Sequence, residues 1–238
     1  MIKCKNCGNL FEGKYCNQCG QSAKTKRINY EFLWEDIQHG LLHYDKGISY
    51  SLKKLFEKPG YIIEDYIEGK RINHFRPISM VIIMATIYAL IYHLLDLNHR
   101  TALDDSSGLL LEKVFEHYYW FVVSTIPIYA LTTFMVFKKT GYNFYEFIIF
   151  EAFKTSQRLL VHILFLPILY FLKDKSGFNT ISNLLLIIDF ILIFWTNKQF
   201  FNQMPSKKVL LKSVLSYLLY LVFAIVSVSL IIFAFGYD

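Results

Sequence analysis

No glycine-rich nucleotide loop, nucleophile elbow or intramembrane-protease motif occurs in the 238 residues, so the sequence offers no recognisable catalytic constellation. Charged residues are scarce, at 18% against the quarter or so of an ordinary soluble chain. The opening residues do not resemble a secretory leader, and none is expected, because Met-Ile-Lys-Cys runs into cysteines and polar residues rather than into a basic segment followed by an apolar one. The first apolar span is therefore the expected insertion signal. Cysteine is absent beyond Cys19.

What the chain has instead is apolar mass. Hydrophobic residues make up 54% and aromatic residues 18%, with a positive mean hydropathy. From Ile78 onward this material is gathered into runs of about twenty residues, the length a helix needs to cross a hydrocarbon core of roughly 30 Å. The expected fold is an all-α membrane protein with five spans, at Ile78–Leu97, Tyr118–Phe137, Phe147–Leu172, Ile181–Asn197 and Ser213–Phe235. Together they make a bundle over residues 78–238. Lys and Arg are retained on the cytoplasmic side of short loops. Thirteen of the 25 basic residues lie between Lys3 and Arg76, and with that end inside, Lys138, Lys139, Lys198, Lys207, Lys208 and Lys212 fall inside as well. Arg100, Lys113, Lys173 and Lys175 fall outside. The expected topology is N-terminus cytoplasmic and C-terminus outside. The formal charge of +6 then follows from topology, and no nucleic-acid partner is expected.

Ahead of the spans, residues 1–21 hold all four cysteines, 22–29 read as a basic linker with Lys24, Lys26 and Arg27, and 30–77 read as amphipathic helices at the membrane surface. Phe32, Leu33, Ile37, Leu41 and Tyr44 recur at helical spacing after Asn29, a suitable N-cap. Leu52, Leu55 and Phe56 repeat the pattern until Pro59-Gly60 stops it. Such pieces either lie in the headgroup layer or pack on the protein's own cytoplasmic face.

Cys4, Cys7, Cys16 and Cys19 form two C-x2-C knuckles, each followed by glycine at Gly8 or Gly20. A two-residue gap is the arc a tight turn makes around an ion, and two such turns place four thiolates about one zinc. A redox C-x-x-C is normally single, and disulfides need an oxidising compartment. An iron–sulfur cluster uses the same ligands. Four cysteine ligands leave no open coordination position, so the expected cofactor is structural zinc in a ribbon, without catalysis at the metal.

The stretch C-K-N-C-G through Y-C-N-Q-C-G-Q, then S-L-K-K-L-F-E-K-P-G-Y-I-I-E-D-Y-I-E-G-K-R and an R-P before the first span, resembles a family of uncharacterised bacterial membrane proteins, known mainly from the Bacteroidota and classed as a domain of unknown function. The resemblance runs over nearly the whole chain and is most specific at Cys4–Gln21 and Leu52–Pro77. It implies a location in the bacterial inner membrane and lends the ligand role to the four cysteines. It implies no activity.

Charges inside the spans are the remaining signal. Glu151, Lys154, Thr155, Arg158 and His162 share one helical face, and Asp189 stands alone in the fourth span. A central charge costs roughly 2.5 to 3.5 kcal/mol on insertion scales and therefore needs a partner or water. Arg158 is expected to pair with Asp189, and Glu151 with Lys154. The stripe then either fixes helix packing or lines a hydrated path, and a third reading leaves Glu151 and Lys154 solvated at the interface. Lys70, Arg71 and Arg76 are candidate contacts for anionic headgroups. His39 and His43, at i and i+4, have a metal-compatible spacing without the glutamate of a metalloprotease motif.

The functional expectation is a partner-binding, scaffolding or regulatory membrane module that uses the ribbon to reach a protein partner. A small permease or channel is the alternative. A lipid-modifying enzyme ranks third, since its acid–base groups would have to be the stripe and His93.

Overall fold

The computed structural model describes residues 1–40, 47–95, 97, 122–172 and 177–235. Two short strands, β1 (Ile2–Lys3) and β2 (Leu10–Phe11), pair antiparallel with Ile2 opposite Phe11. Three helices follow: α1 (Tyr30–Gly40), α2 (Ile48–Glu57) and α3 (Pro59–Glu68). Asn29 accepts a hydrogen bond from the Phe32 amide at 3.0 Å and so caps α1. Pro59 ends α2 and also begins α3, because proline's fixed φ and missing N–H suit a first helical position. Gly69, at φ 111°, closes α3 in the left-handed conformation.

The apolar part comprises α4 (Pro77–Leu94), α5 (Ile126–Phe137), α6 (Phe144–Phe171), α7 (Gly177–Phe200) and α8 (Ser206–Phe235). A 3-10 turn, Lys138–Thr140, leads to α6, which opens with a capping box between Asn143 and Glu146. Helix α6 is the hub, touching α4, α5 and α7, while α8 packs against α5 and α7.

Three described helices are long and apolar enough to cross a membrane, within Pro77–Leu94, Thr180–Phe200 and Ser206–Ser227. The expected count of five is not carried by that criterion. Helix α5 has 12 residues, and positions 118–121 of the expected second span lie outside the described residues. Helix α6 has 28 residues, but its first half carries Glu146, Glu151 and Lys154, with Arg158 just beyond.

Length explains where that polar half goes. At 28 and 30 residues, α6 and α8 extend about 42 and 45 Å, well beyond a core of roughly 30 Å. The starts of α6 and α8 pack with α2 and α3 in one aromatic core of Phe137, Phe147, Phe150, Phe153, Phe200 and Phe201, joined by Leu55, Ile63 and Tyr66. The starts of α4, α6 and α8 and the ends of α5 and α7 all meet this layer, so successive helices alternate in direction. Away from it the bundle shows an apolar exterior, including Leu164, Phe171, Leu186, Ile187, Leu218 and Ile225.

The stretch 22–29 is bonded to the start of α6. Arg27 donates from Nε and Nη2 to the two carboxylate oxygens of Glu146 at 2.7 and 2.8 Å. Ile28 is fully buried, and its carbonyl accepts from Asn143 Nδ2 at 3.0 Å. These bonds strap the N-terminal segment to the start of α6.

Candidate functional site

The two cysteine knuckles are built alike. Gly8 N donates to Cys4 O at 3.0 Å and Gly20 N to Cys16 O at 2.9 Å, and both glycines adopt φ 77°, where an L side chain would be strained. Pairing of β1 with β2, and a bridge between Tyr15 and Ser22, folds one knuckle over the other. All four Sγ atoms then lie within 4.8 Å of one another. The Cys4–Cys19 and Cys7–Cys16 sulfurs are 3.5 and 3.6 Å apart. Tetrahedral bonds of about 2.3 Å put sulfurs about 3.8 Å apart, so the set fits one metal ion. Burial pushes the Cys16 thiol up, but the amides of Cys19 and Gln18 and the neighbouring Cys7 outweigh it and bring its pKa down to about 6. The Cys4 thiol is lowered chiefly by the Cys7 amide. These two shifts favour the thiolate, the form that binds metal, whereas at Cys7 the Asn9 amide is outweighed by burial and by the neighbouring Cys19, Cys16 and Cys4, which push that thiol up to about 12.

Within the bundle the charged stripe forms two clusters. Lys154 Nζ is 2.9 Å from Glu151 Oε1, which also accepts from Thr133 Oγ1 at 2.8 Å, and the ammonium lies over the rings of Tyr129 and Phe150. Glu151 and Lys154 are 0% and 1% exposed, so they are sealed inside protein and not solvated. Arg158 Nε lies 3.3 Å from Asp189 Oδ2, and His162 Nε2 lies 3.2 Å from each Asp189 oxygen. Asp189 therefore has two partners from α6 where one was expected. Thr155 completes the face, lining with Arg158 and His162 a void of about 10 Å3, the room of about one water.

The basic residues before α4 are engaged within the protein. Lys70 pairs with Asp65. Arg71 donates to the carbonyls of Tyr66 and Lys26 and lies over Phe32. Arg76 donates to Glu35 O and approaches Asp36 at 3.9 Å. His93 is exposed at the last turn of α4, edge-on to Tyr92. The His39 side chain and all of His43 lie outside the described residues.

Residues 45–89 match the family model DUF3667, described as a protein of unknown function. That stretch runs from just before α2 into α4 and contains Leu52–Pro77, one of the two segments that carry the resemblance noted above. Cys4–Gln21, the other, lies outside it. No curated protein and no solved structure matches the chain.

Sequence reasoning missed Asp36. It is 2% exposed, reaches from α1 to accept the Ile78 amide at 3.3 Å, and so caps α4 from another helix. Burial pushes its pKa up to about 6, against the pull of that amide and of Arg76. No local pattern marks a cap supplied from 42 residues away. The Asn143/Glu146 capping box was also missed, although N-x-x-E before an apolar run is a local pattern.

Proposed function

We propose that the protein is a non-enzymatic, multi-spanning membrane module of the bacterial inner membrane whose zinc-loaded ribbon forms a rigid cytoplasmic platform for a partner protein. The observation that carries this reading is the closed set of four sulfurs, with no position left for substrate. The ribbon is also tied to the bundle. Arg71 N donates to Gln21 Oε1 at 3.4 Å, Arg71 Nη2 holds Lys26 O, and Arg27 holds Glu146. Metal binding thus shapes a surface that is fixed relative to the spans.

The same reading takes α5, with the residues before it, and α6 as two further crossings. The alternating helix directions support this, as does the position of Lys138, Lys139, Lys207, Lys208 and Lys212 beside the ribbon layer. The polar stripe then acts as packing specificity, supported by the protein partners found for Glu151, Lys154, Arg158, His162 and Asp189.

The test joins metal analysis to partner capture. Purified protein should carry one zinc per chain and no visible absorption. Cys4→Ser should lose the zinc and render residues 1–21 protease-sensitive, while the spans still insert. A cross-linked partner recovered with the wild type should disappear with Cys4→Ser. Iron in place of zinc refutes the metal assignment, and a partner set indifferent to Cys4→Ser refutes the platform.

A further inference from the structure

A cleft of about 580 Å3 opens between the ribbon and the helices that precede α4. The ribbon contributes Tyr15 and Gln21, α1 contributes Glu35 and Asp36, and the turn before α4 contributes Arg71 and Arg76. Its size falls within the range of sites for small organic ligands.

Position narrows the ligand first. Arg76 immediately precedes Pro77, the first residue of an apolar helix long enough to span, and the start of a span lies at headgroup level. Helix α1, which forms one wall, turns Leu33 and Asp36 inward and leaves Tyr30, Trp34 and Ile37 exposed at i, i+4 and i+7. An outward stripe containing tyrosine and tryptophan is what a helix lying in the headgroup layer presents.

Charge narrows it further. The cleft holds two guanidinium groups and two carboxylates. The bonds described above use two of the five donors on Arg71 and one on Arg76, with further donors left on each. The Glu35 carboxylate is at the surface, while Asp36 is committed to the Ile78 amide. A purely anionic headgroup would meet the field of Glu35 and Asp36. A quaternary ammonium has no N–H for Glu35, and the faces of Phe32 and Tyr66 that would suit it already carry Arg71. A group with phosphate at one end and primary ammonium at the other matches both signs.

We propose that this cleft holds the phosphoethanolamine headgroup of a membrane lipid, its phosphate toward Arg71 and Arg76 and its ammonium toward Glu35. The shared segment 45–89 supplies Arg71, Arg76 and Tyr50 of the wall. The inference rests on α4 crossing the membrane, which alkaline extraction of native membranes tests separately.

The experiment uses full-length protein released from nanodiscs containing equal amounts of phosphatidylethanolamine, phosphatidylglycerol and phosphatidylcholine, with retained lipid read by native mass spectrometry. Phosphatidylethanolamine should exceed phosphatidylcholine about tenfold, the ratio given by one charge-assisted hydrogen bond. Glu35→Gln, an exposed site with no fold-bearing side-chain bond described, should remove that preference. Arg76→Gln should lower retention of all three lipids, with a melting curve confirming that it folds. Equal retention of the three lipids by the wild type, a preference for phosphatidylglycerol, or a preference untouched by Glu35→Gln overturns the proposal. Soluble glycerophosphoethanolamine and inorganic phosphate serve as competitors. Binding of the former without any lipid preference assigns the same chemistry to a free solute and overturns the lipid assignment.

Discussion

At Gly60 a single hydrogen atom separates two helices. A Cβ at that position would overlap the backbone of Phe200 and Gln199 on α7, and Gly60 N donates to Gln199 Oε1 at 3.1 Å. Gly60→Ala must push α3 off α7, and overpacking against backbone costs about 1 to 3 kcal/mol. The expected outcome is a lower melting temperature in detergent. Gly177→Ala serves as the control, because the nearest atoms to its added carbon belong to the Leu172 side chain, which can move. Asp36 and His74 carry a pH-dependent pair of effects. Burial raises the Asp36 pKa to about 6 and lowers that of His74 to about 4. The folded state holds the Asp36 proton more tightly than the unfolded chain does, so its contribution to stability falls as pH rises from about 4 to 6. The folded state holds the His74 proton less tightly, so its contribution grows between pH 4 and 6.5. The two tilt in opposite senses over nearly one window. Melting curves across that window should show Asp36→Asn gaining on the wild type as pH rises and His74→Gln losing ground. Parallel pH profiles for both variants would refute the burial argument.

Helix α6 shows what periodicity can and cannot reveal. The one-faced spacing of Glu151, Lys154, Arg158 and His162 was plain in the sequence, because a 3.6-residue period fixes which side chains share a face. Their depth was not. Hydropathy treats a charged turn the same way whether it meets water, lipid or protein, and here the first half of α6 is surrounded by α2, α3 and the ends of α5 and α7. Pairing across helices is testable without knowledge of function. Asp189→Asn strands Arg158 and releases His162, and breaking such a buried pair costs about 3 to 5 kcal/mol. Arg158→Gln should cost less, since His162 still faces the aspartate at 3.2 Å. The double variant should recover much of the loss, as a cycle of melting temperatures in detergent would measure. Additive losses would show that the two side chains act independently. The junction at Pro59 carries a related lesson. Pro-Gly reads as a stop, and it does stop α2, but the proline that cannot continue one helix is well suited to begin the next.

Across the whole molecule, the legible features were those written in neighbouring residues: the C-x2-C knuckles, the apolar runs and the basic flanks. The features that were not legible depend on distant segments meeting. Asp36 capping α4, Gln157 Nε2 donating to Leu55 O at 2.6 Å, and the cleft shared by ribbon and helices each join pieces with no common local pattern. The strap between Arg27 and the start of α6 is another such join, and it has a consequence in time. Arg27 and Glu146 are separated by 119 positions. At about 5 to 20 residues per second, a ribosome takes roughly 6 to 24 s to pass from one to the other. For the later part of that interval the first thirty residues are already outside the ribosomal tunnel while the carboxylate that anchors them has yet to be made. A two-stranded hairpin of this size has too little core to hold itself for so long. On the proposed reading, capture of a metal by the four cysteines precedes docking onto α6.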